Sequence, residues 1–190
     1  MNIYIQMSTY MTDSKELFLF SSLLDYYENK INFGAFVEIL QDDSAISLRM
    51  IDWVVTKFSK INNTNYELNG KTFEVYINYK SQLKVFSKRS IDPFCRRDRL
   101  VLKKHSISIV TTIGQMNFFR WAIDNGVLKY ICDNFESLEK EMKSYSKNET
   151  EKRKLKKLKN TKHKKVFTNK ITIDTQTMPN MLAHSVVSFD

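Results

Sequence analysis

The spacing of apolar residues changes along this chain, and the changes divide it into zones. From Ser14 the pattern is helical, with Leu17, Phe20, Leu24 and Tyr27 at i, i+3, i+7 and i+10, one face of a helix. Asp13 or Ser14 can cap its start by accepting a backbone N–H. Phe33, Phe36, Val37 and Leu40 predict a short second helix over 33–41. Asp42, Asp43 and Ser44 break the pattern and offer a new N-cap. Leu48, Ile51, Val55 and Phe58 then stripe a third helix, with Trp53 beside the stripe. Residues 1–13 carry few signals and read as loose. The first 60 residues are thus expected to form a small helical unit with core aromatics.

After Ile61 the period becomes two. Asn62–Asn65 reads as a loop, and Asn69-Gly70 between apolar runs is a type I′ hairpin signal, since both central positions need positive φ. Phe73, Val75, Ile77 and Tyr79 alternate, so a hairpin of 64–68 and 71–79 is predicted. Over 79–88 Tyr79, Leu83 and Phe86 return to helical spacing, and Lys80, Lys84 and Lys88 recur at i+4. A helical turn or two would set three ammonium groups in one row. Pro93 ends that stretch. Leu100–Leu102 reads as a strand, Lys103-Lys104 as a turn, and Ile107 and Ile109 alternate with serines in a second hairpin or sheet edge.

Thr112 and Gln115 form a capping-box pair ahead of a helix with Met116, Phe119 and Ile123 on one face. Gly126 is placed to stop it. A further helix runs from Val127 to about Tyr145 and carries Leu128, Ile131, Phe135, Leu138 and Met142. Beyond Ser146 the stretch KNETEKRKLKKLKNTKHKK has two leucines to bury, and is expected to be disordered or a solvated helix when unbound. Val166–Ile173 and Leu182–Phe189 read as short strands or docking motifs. The predicted fold class is α+β: an N-terminal helical unit, a central small antiparallel sheet of about four strands, two following helices and a basic disordered-prone tail. Residues 1–146 form one domain in this reading, and 147–190 the tail.

Charge sharpens the picture. The net charge is +9, but it is concentrated. Residues 80–104 hold nine Lys or Arg against two Asp, and 147–170 hold eleven against two Glu. The remaining positions sum to −7. Two basic zones on a mildly acidic protein call for an anionic partner. Four glycines and two prolines in 190 residues argue against a turn-rich sandwich or barrel. Cys95 and Cys132 lack CxxC neighbours and read as reduced thiols. No leader-like segment and no apolar run of membrane-spanning length is present, so no membrane role is expected.

Candidate chemistry is sparse. His105, His163 and His184 are scattered, and a His105–Cys95 pair matches no motif with a mechanism. Neither GxGxxG nor GxxxxGK[ST] occurs. Asp92 and Asp98 sit among arginines, and pairing with Arg89, Arg96, Arg97 or Arg99 is expected rather than a two-carboxylate acid/base site. The other acids are dispersed. No catalytic residue, cofactor or metal is therefore expected.

The basic zones fit nucleic acid, because Lys and Arg neutralise phosphates and release counterions. The candidate contacts are Lys80, Lys84, Lys88, Arg89, Arg96, Arg97, Arg99 and Arg120, with Lys152, Arg153, Lys154, Lys156 and Lys157 from the tail. Tyr79, Phe86, Phe94 and Trp121 are the candidate stacking or interface aromatics.

Three strings carry a resemblance: SLRMIDWVVTKFSK, YKSQLKVFSKRSIDPFCRRDR and TTIGQMNFFRWAIDN. They are similar to a family of nucleocytoplasmic large DNA viruses, especially mimivirus-like giant viruses, whose members read roughly YKSQLKxYSKxxFDPFCRR and TTxGQLNFFRWAI. The resemblance covers about residues 17–145, with Phe86 and Ile91 standing where the family pattern has Tyr and Phe. It implies a viral origin and a place in the virus factory of the host cytoplasm or in the virion, and not a secreted protein. It transfers no catalytic residue. The leading expectation is a non-catalytic, weakly sequence-specific nucleic-acid-binding protein associated with a viral genome or transcript. The alternative is a structural or scaffold module that meets acidic viral proteins, with Phe94, Phe118 and Trp121 as exposed anchors. The sequence is silent on DNA against RNA and on oligomeric state.

Overall fold

The computed structural model describes residues 4–7, 14–41, 44–96, 98–104 and 106–168, with side chains over 14–41, 44–96, 98–104 and 106–158. Contacts divide the chain into Met1–Lys143 and Ser144–Asp190. The fold is α+β. Helices α1 (Ser14–Glu28), α2 (Lys30–Leu40) and α3 (Leu48–Trp53) open it, and a π-helical turn (Val54–Phe58) and α4 (Ser59–Asn62) continue α3 directly. Strand β1 (Tyr4–Met7) precedes them, and the β2 (Asn65–Leu68)–β3 (Lys71–Glu74) hairpin and α5 (Val75–Val85) follow. The chain then runs through β4 (Leu100–Lys104), β5 (Ile107–Thr111), α6 (Ile113–Asp124), α7 (Val127–Asp133) and α8 (Phe135–Thr168).

The sheet is not a single one. β1, β4 and β5 form one antiparallel sheet in that order, and β2–β3 stands apart as a hairpin. Residues 4–7, expected to be loose, pair with β4 from Tyr4↔Lys103 to Met7↔Leu100. The β2–β3 turn is Asn69-Gly70, both with positive φ, as its chemistry demands.

The predicted strand 71–79 ends at Glu74, and Val75 opens a helix instead. Burial explains this. Val75 and Tyr79, four apart, are buried, whereas Ile77 between them is 55% exposed. Alternation in sequence becomes a helical face because the packing partners lie on one side only. In α1 the buried residues are Phe20, Leu23 and Tyr27, while Leu17 of the expected stripe is exposed. The third helix is capped by Ser47, whose hydroxyl accepts from the Met50 N–H, three residues after the expected cap. Asp42 and Asp43 lie outside the described residues.

Helix α6 is the centre of the core. Met116, Phe118, Phe119 and Ala122 are fully buried, and Ile113 and Trp121 nearly so. The predicted single face is thus too narrow. Aromatic rings run continuously from Tyr27 to Phe36 (4.8 Å), Phe119 (5.4 Å), Phe118 (5.5 Å), Trp121 (5.7 Å) and Tyr79 (5.2 Å). Such contacts add directional preference to area burial.

Gly126, at φ 67°, sits at the α6–α7 junction. The expected continuous helix 127–145 breaks at Asn134. α8 then carries the lysine-rich stretch as a helix whose side chains over 151–158 are exposed. Residues 166–168, expected as part of a strand, belong to α8, and the rest of both C-terminal segments lies outside the described residues.

Candidate nucleic-acid interface

Three chain segments bound a cleft of about 490 Å³, lined by Asp52, Thr56, Tyr76, Tyr79, Lys80, Leu83, Lys88, Ile91, Asp92 and Arg96. α3 and the π-helical turn supply Asp52 and Thr56. α5 supplies Tyr76, Tyr79, Lys80 and Leu83. The segment after α5 supplies Lys88, Ile91, Asp92 and Arg96.

That last segment has almost no regular structure, and α6 holds it in place. The Asp92 N–H donates to the Gly114 carbonyl at 3.0 Å. Gln115 Nε2 donates to the Pro93 carbonyl at 2.9 Å, and Asn117 Nδ2 to the Ser90 carbonyl at 2.8 Å. The approach is close: a Cβ at Gly114 would lie 2.6 Å from the Arg89 carbonyl oxygen. Gln115 also accepts from Thr111 Oγ1 at 2.8 Å, while its own N–H is capped by Thr112 Oγ1 at 3.1 Å. The Gln115 side chain is thus committed to the loop and to Thr111, so one half of the predicted capping box forms and the other does not.

The segment also orders itself. The Phe94 N–H donates to Asp92 Oδ1 at 3.3 Å, Arg96 Nε lies 3.6 Å from Asp92 Oδ2, and the Arg96 guanidinium stacks over the Phe94 ring at 4.3 Å. The stacking holds a cation at the cleft rim while leaving it 63% exposed. Across the cleft, Asp52 is half-buried. Among the described residues its carboxylate has no hydrogen-bond or ion-pair partner. Burial raises its pKa, and the nearby Asp92 charge adds to this, whereas Arg96, Lys57 and Lys88 pull the other way. The Tyr79 phenol on the cleft floor is pushed up to about 12 by burial and by the charges of Asp52 and Asp92.

The sequence-predicted residues divide among several places. Lys80, Lys88 and Arg96 meet in the cleft. The predicted three-lysine row does not form on one helix, because α5 ends at Val85 and Lys88 belongs to the following turn. Lys84 is exposed on α5 and is not among the lining residues. Arg89 pairs with Asp98 at 3.1 Å, both well exposed, and Arg99 is exposed beside Cys95. The expected pairing of Asp92 and Asp98 with arginines is present, on the surface rather than buried. Arg97 and His105 lie outside the described residues.

Arg120 is a correction. It donates to Ser22 Oγ and Asn117 Oδ1, each at 3.0 Å, and so ties α1 to α6 instead of joining the basic surface. Lys104, counted in the basic segment, is buried, and its ammonium donates to the Tyr27 and Glu28 carbonyls at 2.9 and 2.7 Å. It thereby caps the C-terminus of α1, where a cation is favoured.

The aromatic candidates need correction too. Tyr79 and Trp121 are core residues, and Trp121 Nε1 donates to Asn78 Oδ1 at 2.7 Å. Neither ring is a free stacking platform or interface anchor, and Phe118 is completely buried. Phe86 and Phe94 are partly exposed. From the tail, Lys152, Arg153, Lys154, Lys156 and Lys157 are exposed on α8, with Lys152 near Glu149 at 3.4 Å. Burial raises the pKa of both thiols, Cys95 and Cys132, which disfavours the reactive thiolate.

Sequence reasoning missed Asp52, Thr56 and Tyr76. The available signal was Asp52 itself, an acid set between Ile51 and Trp53 in an apolar run, where only a solvated or functional face tolerates a charge. Among the described residues no group of three or more His, Cys, Asp or Glu gathers as a metal site, and no helix is long and apolar enough to cross a membrane.

Comparison with known proteins places the chain. Over 127 residues it is 39% identical to an uncharacterised protein of Acanthamoeba polyphaga mimivirus, covering 62% of this chain and 49% of the relative. The chain therefore spans about half the length of the curated relative it matches. No solved structure matches it. The model of a family of unknown function, DUF7197, matches residues 5–187. With 39% identity to a giant-virus protein and a family match along nearly its whole length, the chain belongs to DUF7197.

Proposed function

We propose that this protein binds nucleic acid through the cleft between α3 and α5, with the cationic face of α8 as a second, non-specific contact. The reading extends to a genome- or transcript-associated role in the virus factory or virion, without catalysis. The observation that carries it is convergence. Lys80, Lys88 and Arg96 are far apart in local structure, one on a helix and two on an irregular segment, yet all line one cleft. Exposed cations brought together at a concave, partly aromatic surface suit a phosphate backbone. Arg96 adds a planar guanidinium able to grip a phosphate with two N–H donors. Weak sequence preference follows from the same inventory, since phosphate contacts position a strand without reading it. The scaffold alternative has lost two of its three anchors to the core.

Photocross-linking tests the reading. Full-length protein irradiated with a bromouridine-substituted oligonucleotide is expected to yield adducts on peptides spanning 76–96, with partly exposed Tyr76 as the preferred ring. Adducts confined to 147–170 would contradict the role of the cleft and leave the helix as the sole contact.

A further inference from the structure

A cleft that served phosphates alone would be lined by cations alone. This one carries two carboxylates, Asp52 and Asp92, opposite Lys80, Lys88 and Arg96. Asp92 is accounted for: it receives the Phe94 N–H and faces Arg96. Asp52 is not. It is half-buried, lines the cavity, and makes no hydrogen bond or ion pair with the described residues. An ionised carboxylate accepts hydrogen bonds only, and leaving one desolvated without donors is unfavourable. Its most direct use is to receive donors from a bound molecule.

The surroundings of Asp52 are fixed in advance. The π-helical turn starts two residues later, and insertions of this kind recur at functional sites. Thr56 Oγ1 donates to the Asp52 carbonyl at 2.7 Å. The opposite wall is clamped by Gly114, Gln115 and Asn117 of α6. Both walls are therefore held rigid around a hollow whose volume falls within the range for small-molecule sites, roughly 300–1,000 Å³. That space encloses one small unit, not a length of strand.

Resting on the nucleic-acid reading, we infer that the cleft captures a single nucleotide, its phosphate on Lys80, Lys88 and Arg96 and its N–H or O–H donors on Asp52. The chemical class is a nucleoside monophosphate, either free or as the end of a strand. Ribose hydroxyls and the amino and imino groups of a base edge are the donors such a molecule offers, and carboxylates accept from both kinds. Tyr76, partly exposed on the lining, is the ring available to stack on the base.

Calorimetric titration of the full-length protein tests this, with four nucleoside monophosphates, their deoxy forms and inorganic phosphate as probes. At least one nucleotide is expected to bind about tenfold more tightly than inorganic phosphate, the scale of one hydrogen bond to a charged group. Asp52→Asn should abolish that preference while leaving phosphate binding in place, and Lys88→Ala should weaken both. A thermal melt of each variant separates loss of binding from loss of fold. Competition between a free nucleotide and 5′-phosphorylated or unphosphorylated oligonucleotides distinguishes the two sources. Equal binding of phosphate and every nucleotide would overturn the inference, as would an Asp52→Asn variant that keeps the preference. Oligonucleotide binding that depends on Lys80, Lys88 and Arg96 but shows no nucleotide preference would leave the broader proposal standing and remove this one.

Discussion

At the scale of single residues, two charges sit where the fold must hold them at a cost. Asp52 has its pKa raised by burial. A carboxyl whose pKa is higher when folded contributes stability only below its unfolded value, roughly 3.9, and loses it as pH rises through the folded value. At neutral pH the native Asp52 is therefore destabilising. Asp52→Asn is expected to raise the melting temperature at pH 7, with the difference shrinking to nothing near pH 3. A variant less stable than wild type at pH 7 would contradict this. Such a gain in stability at the expense of binding is typical of functional positions.

Lys104 is the opposite case, a buried cation with two carbonyl partners at the end of α1. Lys104→Met removes both bonds and leaves two helix-terminal carbonyls without their donor. A loss of about 2–4 kcal/mol is expected, read by denaturant unfolding, with nucleic-acid binding unchanged wherever the protein remains folded.

At the scale of elements, the question is why some are legible and others not. The three opening helices, the Asn-Gly turn and the α6 cap follow from local chemistry that the sequence states outright. The start of Val75–Val85 reads as a strand because alternation over five residues fits one, and only the one-sided burial of Val75 and Tyr79 selects a helix. β1 leaves no local signal because its pairing with β4 is a contact between residues about a hundred positions apart. The cleft is half legible. Its cations stand in the basic segment, but Asp52 reaches them only through tertiary packing.

The same packing makes α6 the support of the site. Gly114→Ala would drive a methyl into the Arg89 carbonyl. It is expected to cost about 1–3 kcal/mol through overpacking and to weaken oligonucleotide binding by displacing Asp92 and Arg96. Gly34, in α2, is the control, because a methyl added there would meet nothing within 4 Å. Gly34→Ala should be neutral or stabilising by about 0.5–1 kcal/mol. Equal melting and binding for the two variants would show that the clamp does not matter.

At the scale of the whole molecule, the charge of +9 is not one basic surface. Lys104 is spent in the core, Arg120 joins two helices, Arg89 faces Asp98, and a compact set of three cations remains at the cleft, apart from the exposed basic face of α8. The central claim is that this set contacts phosphate. It is tested most directly by measuring oligonucleotide affinity across a salt series for wild type and for the Lys80→Ala, Lys88→Ala, Arg96→Ala triple variant, each full length with the lysine-rich helix intact. The account predicts weaker binding and a log–log salt slope shallower by roughly two for single strands, about 0.7 per lost phosphate contact. An unchanged affinity and slope in a folded triple variant would contradict it and assign the binding, if any, to α8.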